Sequence, residues 1–136
     1  MNVICFTPSD EQLKNVSCSV LDSLTENDQI EIHKSHKSFN LRLKQPLALD
    51  SVLILCPQTM EQLDSLIACR EFFHLVRIIL VLPHKPNGML DSVHVLSPSF
   101  ILYENQDFCA INEVIEKIRD NFQQNLSDKI YTEGKD

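Results

Sequence analysis

The sequence predicts a single three-layer α/β domain, with a five-stranded parallel sheet of order 2-1-3-4-5 covered by helices on both faces. Three observations predict it. Short, uninterrupted apolar runs recur at Asn2 to Phe6, Val52 to Leu55, Arg77 to Leu82 and Ser99 to Tyr103. Such runs mark strands buried on both faces, as in parallel sheets. Between them lie segments with apolar residues at helical spacing, and this alternation is the mark of a sheet with crossover helices. The chain has 136 residues, the size of one domain. Right-handed crossovers leave few arrangements, and 2-1-3-4-5 is the common one at this size.

Taken in order, Asn2 to Phe6 forms the first strand. Ser9 with Gln12 three residues later reads as a capping box for a helix from Asp10, whose Leu13, Val16, Val20, Leu21 and Leu24 make one apolar face. Asn27 and Asp28 mark a turn, and Ile30 and Ile32 alternate with Glu31 as in an edge strand. Residues 38–45 carry two readings. Phe39, Leu41 and Leu43 alternate as in a strand, while Phe39 and Leu43 are four apart as in a helix capped by Ser38. The fold favours the helix, and Pro46 ends either element. Val52 to Leu55 is the central strand. Thr59 and Gln62 form a second capping box, for a helix with Leu63, Leu66 and Ile67 inside, extended by Phe72, Phe73 and Leu75. Arg77 to Leu82 is stopped by Pro83. Residues 84–98 are rich in breakers, with room for a short fourth helix at Met89 to Val93. Ser99 to Tyr103 is the fifth strand. Asp107 caps a last helix carrying Ile111, Val114, Ile115, Ile118 and Phe122. The domain is expected to span residues 1–126, with 127–136 a loose polar tail.

Composition excludes several functions. A net charge of −7 disfavours general nucleic-acid binding, which needs cations to neutralise phosphates. With only Gly88 and Gly134, there is no glycine-rich phosphate loop. No signal peptide or membrane-length apolar run is evident, so a cytoplasmic location and no membrane partner are expected. The five cysteines (Cys5, Cys18, Cys56, Cys69 and Cys109) are scattered without a Cys-x-x-Cys pair, as expected of reduced, mostly buried thiols. One stretch departs from the acidic average. Between Ile32 and Leu49 there is no acid, while Lys34, Lys37, Arg42 and Lys44 stand among His33 and His36. It reads as a solvated edge or as a docking patch for an acidic partner.

In this architecture ligands bind beyond the carboxyl ends of the strands. Those positions are Thr7 to Asp10, Cys56 to Thr59, Pro83 to Lys85 and Tyr103 to Asn105. With Asp50 to Leu55, Arg77 to Leu82 and Ser99 to Tyr103 in place, residues 2–122 resemble the receiver domain of bacterial two-component response regulators. The stretch from Leu96 to Phe108, followed by the Ile/Val helix, looks more specifically like a family of small, divergent receiver-like proteins. The resemblance implies a flavodoxin-like fold. It also implies an acidic pair after the first strand, an aspartate ending the third, Ser or Thr after the fourth and Lys after the fifth. That chemistry needs a divalent cation and a lysine to offset charge on the transferred oxygens. Here Thr7 and Pro8 replace the acidic pair, Leu55 or Cys56 the acceptor, Pro83 the hydroxyl residue and Tyr103 the lysine. Asp10 is explained as first-turn helix charge.

The resulting expectation is a pseudo-receiver: a signalling or protein-interaction module that takes up no phosphoryl group, with no catalytic activity, metal or cofactor. By resemblance, its partner surface includes the fourth helix, fifth strand and last helix, with Phe100, Leu102, Tyr103, Ile111 and Ile115, and serves a homodimer or a separate signalling protein. The alternative is a small enzyme or ligand-binding protein of the same fold using Cys56 and His84. A metal on His33 and His36 is disfavoured by the neighbouring lysines. A phosphate on Thr7 to Ser9, as in a flavodoxin, is disfavoured by the lack of glycine there and of tryptophan to cover a flavin.

Overall fold

The computed structural model describes residues 1–73, 76–86, 88–104 and 110–121. Its elements run β1 (Asn2–Phe6), α1 (Asp10–Ser23), β2 (Gln29–His33), α2 (His36–Leu43), β3 (Ser51–Leu55), α3 (Met60–Ala68), β4 (Arg77–Leu82) and β5 (Phe100–Tyr103). A last helix, α4, covers residues 110–121. The strands form one sheet of order β2-β1-β3-β4-β5, and every pairing is parallel. This is the predicted flavodoxin-like order.

The period-two geometry of the strands sorts the core into two layers. Ile4, Phe6, Leu53, Leu55, Leu80 and Leu82 pack on Phe39 and Leu43 of α2 and on Leu63 and Leu66 of α3. Val3, Cys5, Val52, Ile54, Ile79 and Val81 pack on Val16 and Val20 of α1 and on Ile111 and Ile115 of α4. β1, β3 and β4 lie inside the sheet, and their apolar runs are buried nearly throughout, which explains why they do not alternate in sequence. β2 lies at the edge and is half exposed.

Several local expectations are corrected. The helical reading holds for residues 38–43, but α2 starts at His36 and is capped by Ser35, whose hydroxyl accepts from the Ser38 amide at 3.2 Å. Ser38 instead holds His33 Nδ1, at 2.6 Å. Ser9 sits at the N-cap of α1 without a side-chain cap bond. Leu21 was assigned to the apolar face of α1 but is 57% exposed, and Phe72 is exposed beside a buried Phe73. The short fourth helix is a turn followed by a 3₁₀ segment at Val93–Leu96, ended by Ser97 in the left-handed region (φ 49°). Pro86, Gly88 and Pro98 bracket the segment, and its turn and 3₁₀ stretch bury Met89, Val93 and Leu96. The Asp107 cap, Phe122 and the tail lie outside the described residues, as do Leu75 and Cys109.

The end of the sheet opposite the strand tips is closed by charge. The Met1 ammonium lies 3.2 Å from Asp28 and 3.0 Å from Asp50, and Arg119 of α4 reaches Asp28 at 2.5 Å. The Asp28 side chain is only 5% exposed. Burial works against its charge, but hydrogen bonds from Thr25 and the ammonium, with Arg119 beside it, hold the carboxyl below its ordinary pKa.

Candidate functional site

Backbone hydrogen bonds carry the sheet past its strand ends and so fix the residues there. The Thr7 amide donates to the His33 carbonyl at 3.0 Å, Cys56 to Phe6 at 2.9 Å, and Glu104 to Leu82 at 2.9 Å. The predicted positions therefore gather at one edge. Thr7, Leu55 and Cys56 are fully buried, while Pro8, Pro83 and Tyr103 are half-buried. The Thr7 hydroxyl finds no hydrogen-bond partner among the described residues. Leu55 and Cys56, the two candidates for the acceptor position, belong to opposite core layers, and neither carries a carboxylate.

The space above these residues is spanned by a chain of amides ending in a carboxylate. Gln58 Nε2 donates to Gln12 Oε1 at 2.6 Å, and Gln12 Nε2 donates to Glu104 Oε2 at 2.8 Å. The other oxygen, Glu104 Oε1, accepts the His84 amide at 2.9 Å. Gln12 is 4% exposed. One continuous network thus joins α1, the turn after β3, the turn after β4 and the end of β5. It borders a polar cleft of about 390 Å³ flanked by Ser9, Glu11 and Asn15.

Sequence reasoning placed Gln58, His84 and Glu104 at the strand ends but gave Gln12 a different task. Gln12 and Gln62 occupy the same place, three residues after a hydroxyl N-cap. Gln62 does act locally: its amide is held by the Thr59 hydroxyl at 3.2 Å, and its Oε1 accepts the Gln58 amide at 2.7 Å. The Gln12 side chain turns to Glu104, 92 residues away, and Ser9 makes no side-chain cap bond. The capping pattern hid a long-range contact that no local spacing reveals.

Cys56 and His84 differ in their surroundings. Burial pushes the Cys56 thiol well above its ordinary pKa, with Cys5 close enough to add to the effect, and pushes Cys5 up to about 12. His84 is exposed, and its backbone amide is the group that meets Glu104. No hydrogen bond joins Cys56 to His84 among the described residues.

The basic stretch forms a second corner, where β2 meets α2. Acids from outside the stretch reach into it: Lys34 pairs with Asp10, and Arg42 Nε donates to Glu31 Oε2 at 2.7 Å. Lys37 and Lys44 are exposed. His36 lies on the Phe6 ring with centroids 4.5 Å apart, and neither of its ring nitrogens has a hydrogen-bond partner among the described residues. Burial lowers its pKa against the opposing pull of Glu61.

The β5–α4 edge requires a correction. Leu102, Ile111 and Ile115 were assigned to a partner surface, but they are 2%, 0% and 0% exposed. They face the core because α4 packs on this face of the sheet and meets Leu102 of β5 there. The outer groove of about 360 Å³ is formed instead by Arg77, Phe100, Val114, Lys117 and Ile118.

A solved structure shares this arrangement. It is a crystal structure from Sinorhizobium meliloti 1021 of a protein described as the pilus assembly protein CpaE2, with a TM-score of 0.61 and 11% identity, covering 87% of this chain and 99% of that one. The likeness is one of fold. No family model matches the chain, and no curated protein matches it in sequence. Among the described residues, no helix is long and apolar enough to cross a membrane.

Proposed function

We propose that the chain is a non-phosphorylatable, receiver-like signalling or interaction module that acts through protein contacts. The observation that carries this reading is the Gln58–Gln12–Glu104 chain across the strand ends. An aspartyl phosphate needs a carboxylate at the end of β3 and cationic partners around it. Here that position is a buried Leu55 or Cys56. The space above holds two neutral amides and an anion whose two oxygens already accept hydrogen bonds. Glu104 would repel an incoming phosphoryl group. The same network ties together the turns that would have to move in a phosphorylation switch, so the reading includes a domain held in one state. Its contacts then come from surfaces rather than the cleft. The candidates are the β2–α2 corner with Lys37 and Lys44 and the β5–α4 groove with Phe100, Val114 and Ile118, the second suited to a homodimer.

Adding Mg²⁺ and beryllium fluoride to ¹⁵N-labelled protein tests the reading, because beryllium fluoride mimics an aspartyl phosphate. Amide shifts of residues 6–12, 56–59 and 82–84 are expected to stay unchanged. Saturable shifts at those residues would refute it.

A further inference from the structure

Among the surfaces left by that reading, the β2–α2 corner has the more specific chemistry. A cleft of about 430 Å³ opens there, lined by His33, Ser38, Lys37, Leu41, Arg42 and a neighbouring glutamine, with no carboxylate in its lining. This is a local reversal of sign on a chain of net charge −7. Arg42 is held from behind. Its Nε donates to Glu31, its side chain is only 14% exposed, and its Nη1 is buried without a hydrogen-bond partner among the described residues. The guanidinium is therefore fixed in place before any ligand arrives, which spares the rotamer entropy that a free surface arginine loses on binding. His33 is fixed as well, through Nδ1 to Ser38, and its Nε2 has no hydrogen-bond partner and lies 3.6 Å from Glu31. Lys37 adds a mobile cation, and Leu41 adds apolar surface at 55% exposure. β2 is an edge strand, paired only with β1.

We propose that this cleft docks an acidic peptide segment of a protein partner, one in which carboxylates flank an apolar side chain. The carboxylates face Lys37 and Arg42, and the apolar residue covers Leu41. Charge complementarity selects the partner, and the exposed leucine requires more than a simple anion. A small phosphate or a nucleic-acid backbone would leave Leu41 in water, and the surrounding acidic protein would repel a polyanion at longer range. The proposal rests on the interaction-module reading and names the surface it uses.

The probe is a fluorescein-labelled synthetic peptide alternating glutamate and leucine, titrated with the intact protein and followed by fluorescence anisotropy. Saturable binding is expected, weakening as salt is raised because exposed charges are screened. Lys37→Glu and Leu41→Ser should each weaken it by about fivefold or more, as expected when an interface charge is reversed or an anchor removed. Both positions are exposed, so both variants should keep the wild-type circular dichroism spectrum. Lys14→Glu, at an exposed position of α1 away from the cleft, should leave binding unchanged. Equal binding of a lysine–leucine peptide, equal affinity with either variant, or competition by inorganic phosphate as strong as by unlabelled peptide would overturn the proposal. So would a salt-sensitive dimer abolished by Lys37→Glu, which would place a second copy in the cleft. If the peptide fails while beryllium fluoride remains without effect, this surface is refuted and the module reading stands.

Discussion

Replacing Gln12 by leucine removes the middle link of the strand-end network while nearly preserving side-chain volume. It deletes one hydrogen bond to a carboxylate, worth about 1.5–3 kcal/mol, and one between amides, worth about 0.5–1.5 kcal/mol. Glu104 is only half-buried and can rehydrate, so the net loss should fall near the low end, about 2 kcal/mol. For a domain of this size that corresponds to a drop of roughly 6–10 °C in Tm. Urea unfolding followed by circular dichroism measures it, and a double-mutant cycle with Glu104→Leu isolates the pair, with an expected coupling of about 1 kcal/mol or more. Glu104→Gln provides a control. The new carboxamide can be accommodated if the Gln12 and Gln58 amides reverse in turn, so only the charge is lost, at a cost of about 1 kcal/mol. A coupling below about 0.3 kcal/mol would refute the claim that these side chains bind the turns together.

Other outcomes follow from the burial pattern. Iodoacetamide at neutral pH with peptide mapping should leave Cys5 and Cys56 unmodified in the native protein and label them only after unfolding, because both thiols are buried with raised pKa values. His36 has a lowered pKa in the folded state, so protonation favours the unfolded chain. Stability should therefore fall as pH drops below the ordinary imidazole value, and His36→Phe, which leaves no ring nitrogen unpartnered, should flatten that slope in urea titrations from pH 7 to 5. Asp28 has a depressed pKa, so its contribution is present above the ordinary carboxylate value and lost as pH falls through the folded one. Asp28→Asn should remove that acid-side loss, while the Met1 ammonium, held by Asp50 as well as by Asp28, should keep part of its raised pKa. Phe39→Ala empties a fully buried site between Phe6 and α2 and should cost about 3–5 kcal/mol, read by the same unfolding assay.

The sheet was legible because buried strands must be apolar throughout, and the runs at β1, β3 and β4 name their own positions within a residue. The edge was less legible. α2 has only Phe39 and Leu43 buried, so two residues had to decide between helix and strand, and the cap read at Ser38 lies instead at Ser35. The β5–α4 assignment failed for a related reason: Leu102, Ile111 and Ile115 lie on surface elements, but a side chain's direction depends on register, and theirs turns inward. At the strand ends, the missing carboxylates could be read residue by residue. What replaced them could not, since Gln12 and Glu104 meet only through the fold. The basic stretch holds no acid of its own in sequence, whereas Asp10 and Glu31 pair with two of its four cations from outside it.

The most direct test of the account is to incubate the protein with acetyl phosphate and Mg²⁺ and weigh it intact by mass spectrometry. The account predicts the unmodified mass throughout, with a competent receiver domain phosphorylated in parallel. A hydroxylamine-labile adduct of one phosphoryl group would contradict it.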